Sequence, residues 1–395
     1  MDVTIAPSRL QGTVTPPPSK SVAHRALIAA ALGGGACTIS NLAQSQDIQA
    51  TQSCLSALKT GQPTGEDGLP LLDCGESGST LRFLIPLSLV LRGGGHFTGR
   101  GRLMDRPQGP YLTMFQEQGI FCRQEAGVLT LRGKLTPGTY SLPGDVSSQF
   151  ITGLLYALPL LEGDSEIALT TPLESRGYVD LTLDVLRAFG IHAEETAHAF
   201  RVPGNQRYTS RDFTVEADWS QAAFWYAANF AGGQVDIQGL NMDSKQGDKV
   251  IALQYWKLAR PGEVELDVSQ CPDLVPPLAA IAAVRAGTTH LTHAARLRMK
   301  ESDRLSTVAA ALRAMGGQVE EGPDSLTIHG REQLPGGGTV DCCNDHRIAM
   351  MAAVSAAFAQ NPVTLLGAEC VKKSYSEFWN HFIQLGGDVH GLVLW

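Results

Sequence analysis

No Cys-x-x-Cys pair occurs among the eight cysteines, which stand singly apart from Cys342-Cys343. Neither a zinc ribbon nor a dithiol redox centre is therefore signalled, and the thiols read as reduced and structural. Positive charge is scarce as well: 31 Lys and Arg against 39 Asp and Glu leave a net charge of −8, which removes any general attraction to nucleic acid or to an anionic membrane. An anion site in such a chain must be local. The opening "MDVTIAPSRL" has no basic or apolar leader-like region, and no apolar run approaches the length that spans a bilayer. The expectation is a cytoplasmic protein, with neither nucleic acid nor membrane as a partner.

What is present suits two domains. A chain of 395 residues, 43% hydrophobic and 18% charged, is too long for one ordinary core and apolar enough to bury two. Helical "PPPSKSVAHRALIAAAL" (16–32) stops at glycine and leads to the strand-like "GGGACTISNL" (33–42), and the pairing recurs in five more places. Thus "SGSTLRFLIPLSLVLRGG" precedes "HFTGRGRL", "VSSQFITGLLYALPLLEG" precedes "SEIALTTPL", and "WSQAAFWYAANFAGG" precedes "QVDIQGL". Likewise "PDLVPPLAAIAAVRAG" precedes "TTHLTHAARL", and "NDHRIAMMAAVSAAFA" precedes "PVTLLGAECV". Second helices follow, most clearly at 178–190, 302–317 and 375–387, and alternating segments such as "IFCRQEAGVLTLRG" and "QVEEGPDSLTIHG" read as hairpins. The competing reading, an ordinary α/β alternation, leaves the sixfold spacing unexplained. An α/β fold of two similar domains is expected, each of three repeated units with buried helices inside and sheet around them. The seam falls near "FTVEADWS" (213–220). Because residues 1–10 look like a strand, residues 1–12 with 215–395 are expected to form one domain and 13–214 the other.

The polar ends of these helices carry an anomaly. Ser19 is a good cap for the first helix, which places Lys20, His24 and Arg25 in its opening turns, where the macrodipole disfavours cations. Arg82, Arg304 and Arg347 repeat the pattern early in three other helices. One arginine near a helix start is ordinarily a solvated surface residue; four helices sharing the habit point elsewhere. Free backbone N–H groups at helix starts already form half an anion site, and guanidinium groups complete it. Bidentate contacts suit phosphate and carboxylate oxygens, with the hydroxyls of Ser21, Ser147 and Ser148 as neutral donors.

These residues lie in motifs that resemble a known family. "PPPSKSVAHRAL", "ESGSTLRF", "MDRPQGP", "GDVSSQF", "SRGYVDLT", "PDLVPPLA", "MKESDRL", "NDHRIAM" and "VKKSYSEFW" are similar, in order, to the motifs of the EPSP synthase (3-phosphoshikimate 1-carboxyvinyltransferase) family. The resemblance implies a fold of two domains, each of three βαβαββ units arranged as an inside-out barrel, joined by a two-stranded hinge, with the active site in the cleft. It implies a monomer without metal or cofactor that transfers the enolpyruvyl group of phosphoenolpyruvate to the 5-hydroxyl of shikimate 3-phosphate and releases phosphate. By matching positions, Ser21, Arg25, Ser147, Ser148, Ser175, Asp273 and Lys300 would bind shikimate 3-phosphate. Lys20, Gly78, Arg106, Gln149, Arg304, Arg347 and Lys373 would surround phosphoenolpyruvate.

The reaction itself requires proton transfer twice: the methylene carbon gains a proton as the hydroxyl attacks C2, and the methyl carbon loses one as phosphate leaves the tetrahedral ketal. Asp273 and Glu301, each read as lying at a helix start, are assigned as base for the 5-hydroxyl and, with Lys20, as the proton-transfer pair at the methylene. A carboxylate at a helix start is equally at home as a plain cap, and His346 suits a structural hydrogen bond as well as an acid role. With Lys20, Arg25, Arg82, Arg106 and Gln149 before the seam and Lys300, Arg304, Arg347 and Lys373 after it, the empty protein is expected to stay open until an anion is shared.

Departures from the family pattern are local. Gly78-Ser79-Thr80-Leu81-Arg82-Phe83 stands where Gly-Thr-Ala-Met-Arg-Pro is common, Glu76 replaces a frequent Asn, and Arg296 stands where the family often has Asn. A sister activity, enolpyruvyl transfer to UDP-N-acetylglucosamine, is similar to a pattern with a cysteine in the loop that reads "MDRPQGP", and no cysteine lies between Cys74 and Cys122. A non-catalytic phosphate-binding relative would be expected to lose Asp273, Glu301 or Lys373, and all three are present.

Overall fold

The computed structural model describes residues 1–392. The chain divides into an internal unit, Ser19–Val215, and a terminal unit, Met1–Pro18 together with Glu216 onward. It therefore passes from one unit to the other twice. Strands β1 (Val3–Ala6) and β2 (Gln11–Val14) precede α1 (Lys20–Leu32), β3 (Ile39–Ser40) and α2 (Gln46–Thr60). Next come β4 (Leu71–Asp73), α3 (Gly78–Arg92), β5 (Gly94–Thr98), α4 (Gly109–Glu117), β6 (Phe121–Glu125) and β7 (Val128–Arg132). The same pattern returns in β8 (Thr139–Leu142), α5 (Ser148–Ala157), β9 (Ser165–Leu169), α6 (Arg176–Ala188), β10 (Glu194–Glu195) and β11 (Ala199–Val202).

Strand β12 (Phe213–Thr214) closes the internal unit, and α7 (Trp219–Phe230), β13 (Gln234–Ile237) and α8 (Ile251–Leu258) resume the terminal one. Two further repeats follow: β14 (Val264–Asp267), α9 (Val275–Val284), β15 (Thr288–Thr292), α10 (Arg304–Ala314), β16 (Gln318–Glu321) and β17 (Leu326–His329); then β18 (Thr339–Asp341), α11 (His346–Ala357), β19 (Val363–Leu366), α12 (Phe378–Gln384) and β20 (Asp388–His390).

Four of the repeats build one sheet design. In β4-β5-β7-β6, the two strands flanking the helix α3 run parallel, and the hairpin β6-β7 adds antiparallel to β5. The sheets β8-β9-β11-β10 and β14-β15-β17-β16 repeat this order and these directions. In β18-β19-β1-β20 the N-terminal strand supplies one arm of the pair beside β19, which is why the first residues fold with the last. The other two repeats have only parallel pairs, β3 with β12 and β13 with β2. Their hairpins are missing for a local reason. Residues 61–70, "GQPTGEDGLP", are turn formers that leave one isolated bridge, Thr64 to Pro70, and only five residues, "ARPGE", connect α8 to β14. Beside the shortened sheet, the Asn229 amide takes the hairpin's place, donating to the Val235 carbonyl (2.8 Å) and accepting from its N–H (2.7 Å).

The boundary expected after residue 12 lies instead after Pro18, because β2 pairs with β13 and Pro18 bridges Ala217. Within each unit one helix from each repeat is buried on nearly all sides. Residues 346–357 of α11 and 275–283 of α9 are buried throughout, and both pack on α7. Such helices are apolar all round because they face other helices and sheet rather than water. Pro276 and Pro277 fit the first turn of α9, where a missing N–H costs nothing. No helix among the described residues is long and apolar enough to cross a membrane.

Candidate active site

In the internal unit, the buried helices start with hydroxyl caps. Ser19, Ser77 and Ser147 accept from backbone N–H groups at the starts of α1, α3 and α5, at 3.4, 3.1 and 3.3 Å. Lys20, the first residue of α1, pairs with Asp47 at 2.7 Å. Arg25, one turn further along and 2% exposed, has neutral partners among the described residues: Thr182 Oγ1 (2.9 Å), the carbonyls of Ser21 (2.7 Å) and Tyr178 (2.9 Å), Thr152 Oγ1 (3.4 Å), and the face of Phe83 (5.1 Å). Burial lowers its pKa to about 10, so the guanidinium stays charged at neutral pH with no carboxylate paired to it among the described residues. Thr152 and Thr182, themselves 2.8 Å apart, tie α5 to α6 beneath it.

Arg106 is the second cation of this kind. It is 8% exposed, and its Nε has no hydrogen-bond partner among the described residues. Its guanidinium lies against the first residue of α3: a Cβ on Gly78 would stand 2.6 Å from Nη1, so glycine is the residue that admits it. Arg82 on α3 donates to Gln149 Oε1 (2.8 Å) and to the Pro107 carbonyl (2.9 Å) over the ring of Phe150, and Gln149 in turn donates to Ser79 (3.1 Å). Ser148 is buried beside Gln149. Ser175, at the start of α6, holds a left-handed backbone (φ 54°) in a buried position, a conformation that costs a non-glycine residue of order 1 kcal/mol or more.

The terminal unit gathers carboxylates as well as cations. Asp273 Oδ1 receives Arg304 Nη1 (2.9 Å) and Lys300 (3.4 Å), and Oδ2 receives Arg347 Nη2 (3.1 Å). Arg304, 1% exposed, also donates to Glu301 (2.6 Å) and through Nε to Asp345 (2.8 Å). Burial pulls the Arg304 pKa down, but Asp345, Glu301 and Asp273 outweigh it and raise it above the ordinary value. Burial likewise pushes Asp345 up, and the Arg304 charge overcomes that and holds it below the usual carboxylate range. Arg347 also donates to Ser220 (3.0 Å). Lys373 is buried and donates to the Asn344 carbonyl (2.6 Å), which Cys343 and Asn344 present from consecutive left-handed positions, φ 50° and 53°. Its neighbour Lys372 is half-buried.

Glu301 is not at a helix start: α10 begins at Arg304 with Asp303 as its cap, so Glu301 lies in the bend before it and reaches the site through Arg304. Asp273 sits in a short 3-10 turn leading into α9. Arg296 donates to the Ser269 carbonyl. His346 is fully buried in α11 with Nδ1 4.0 Å from Asp345. Residues missed in the sequence are Asp47, Asp345, Thr152 and Thr182. Asp345 could have been found, since an Asp directly before a helix is a cap signal; the threonines carry no such mark.

Comparison with known proteins assigns the family. The family described as "EPSP synthase (3-phosphoshikimate 1-carboxyvinyltransferase)" matches residues 5–382. The chain belongs to the EPSP synthase family. It is 45% identical to the 3-phosphoshikimate 1-carboxyvinyltransferase of Clostridium kluyveri and 44% identical to that of Clostridium acetobutylicum, each match covering 98% of both chains. Among solved structures, an EPSP synthase from Acinetobacter baumannii superposes with a TM-score of 0.79 at 22% identity, over 98% of this chain and 99% of the other. The enolpyruvyl transferase NikO from Streptomyces tendae gives 0.76 at 16% identity, over 98% of each chain. At these identities the two structures speak for the shared fold.

Proposed function

We propose that this chain transfers the enolpyruvyl group of phosphoenolpyruvate to the 5-hydroxyl of shikimate 3-phosphate, giving 5-enolpyruvylshikimate 3-phosphate and phosphate. Membership of the EPSP synthase family across residues 5–382 carries this reading. Two buried cations, Arg25 with neutral hydrogen-bond partners and Arg106 with its Nε unbonded among the described residues, support it, since both substrates are phosphorylated carboxylates. Ser21, Arg25, Ser147, Ser148, Ser175, Asp273 and Lys300 serve shikimate 3-phosphate, and Lys20, Gly78, Arg106, Gln149, Arg304, Arg347 and Lys373 serve phosphoenolpyruvate.

The chemistry follows from how the charges are paired before substrate arrives. Asp273 and Glu301 are both engaged by Arg304. When an anionic substrate takes over that guanidinium, the two carboxylates are released for proton transfer. Asp273 then accepts the 5-hydroxyl proton as its oxygen attacks C2, while Glu301 with Lys20 delivers a proton to the methylene carbon. In the second step the methyl carbon returns a proton and the C2–O bond to phosphate breaks, with Arg and Lys groups stabilising the charge that gathers on the leaving oxygen. We place the enzyme in the cytoplasm as a monomer. The test is phosphate release from phosphoenolpyruvate: strict dependence on shikimate 3-phosphate is expected. Release supported by UDP-N-acetylglucosamine instead, or by neither acceptor, would overturn the assignment.

A further inference from the structure

Lys20 occupies an unfavourable place for an ammonium group, at the positive end of α1 and with Arg25 on the same helix. A lysine side chain also has rotamer freedom worth about 2 kcal/mol to lose before it can hold one position. Asp47 answers both problems. It lies in the first turn of α2, where a carboxylate is favoured, behind the cap Ser45, and reaches Lys20 at 2.7 Å with the two side chains 11% and 17% exposed.

A second link runs parallel to this one. Four residues along α1 from Lys20 is His24, and four residues along α2 from Asp47 is Thr51; His24 Nδ1 and Thr51 Oγ1 are 2.7 Å apart. Thr51 Oγ1 also meets Thr80 Oγ1 (2.6 Å), which donates to Ser77 Oγ (2.7 Å), the cap of α3. His24, Thr51, Thr80 and Ser77 are each 1% exposed or less. One helical turn therefore separates an ion pair from a buried hydrogen-bond chain that joins α1, α2 and α3. Asp47 stands on a helix that cannot slide relative to Lys20, unlike one arm of an ordinary surface pair, which holds no fixed geometry.

We propose that Asp47 is the positioning residue for Lys20: it fixes the ammonium group so that its proton is presented to the reacting methylene, without itself touching substrate. The inference rests on the enolpyruvyl-transfer reading. An ammonium has three N–H donors, and anchoring one of them sets the directions of the others. A misplacement of about 1 Å at a reacting group costs on the order of 100-fold in rate.

The experiment compares wild type, Asp47→Asn and Asp47→Glu by shikimate 3-phosphate-dependent phosphate release, calorimetric binding of shikimate 3-phosphate and thermal unfolding. Asp47→Asn is expected to stay folded and bind shikimate 3-phosphate with affinity within about threefold of wild type, while kcat falls on the order of 100-fold. Asp47→Glu, which restores the charge, should recover about tenfold of that loss. A kcat for Asp47→Asn within about threefold of wild type would overturn the inference. So would a failure of Asp47→Asn to fold, or equal losses in both variants, which would make the pair structural. Absence of the reaction in wild type would remove the functional reading and this inference with it; a normal wild type beside an unaffected Asp47→Asn removes the inference alone.

Discussion

Arg25 and Arg106 are expensive residues for the empty protein, because burying a cation without an opposite charge forfeits hydration that neutral hydrogen bonds only partly replace. Arg304 is the opposite case, satisfied by three carboxylates. Two substitutions test these contrasting environments. In Gly78→Ala the new methyl collides with the Arg106 guanidinium, at 2.6 Å from Nη1, and that flexible end yields more easily than the backbone. The variant should fold normally, with KM for phosphoenolpyruvate raised about tenfold and the affinity for shikimate 3-phosphate unchanged, as steady-state kinetics and calorimetry would show. Asp273→Asn retains shape but removes the charge that Lys300, Arg304 and Arg347 share. Turnover should fall by about two to four orders of magnitude in rapid-mix assays. Shikimate 3-phosphate should still bind, since Arg25 and the serines of the internal unit are untouched.

At the scale of elements, the helices and their caps are legible in the sequence, and the partnerships among them are not. Ala- and Leu-rich runs mark α1, α3, α5, α7 and α11, glycine directly closes the first two, and Ser or Asp directly before each start is a local signal. Lys20 finds Asp47 across 27 residues and Arg25 finds Thr182 across 157, distances over which no periodicity carries information. The βαβαββ pattern implied for every repeat does not hold in two of them, and the brevity of residues 259–263 and the turn formers at 61–70 are the local signals against a hairpin there. The chain from His24 through Thr51 to Thr80 has a consequence for pH. Burial, with Lys20 and Arg25 nearby, holds the imidazole well below its ordinary value of 6.5. The unfolded chain takes up a proton near that pH and the folded chain does not, so acid favours unfolding and this contribution to stability is lost as pH falls below about 6.5. Denaturant midpoints measured on both sides of that pH should show the loss in wild type. In His24→Gln, which keeps a donor for Thr51 and does not titrate, the slope should be shallower.

Taken whole, the molecule carries a net charge of −8 and still concentrates cations where helices begin. An anion that binds only the folded state raises its stability by mass action. Sulfate or inorganic phosphate should therefore raise Tm well above the effect of chloride at equal ionic strength, and Arg25→Gln should lose most of the difference. Such binding speaks for anion recognition but not for the reaction. The reaction is tested most directly by phosphorus NMR on the two substrates mixed with the protein, because each phosphorus has its own signal. The account predicts that phosphoenolpyruvate is lost and inorganic phosphate gained one for one, only when shikimate 3-phosphate is present, and that the shikimate phosphorus remains an ester in the product. Inorganic phosphate appearing without shikimate 3-phosphate, or appearing as the shikimate ester signal disappears, would contradict it.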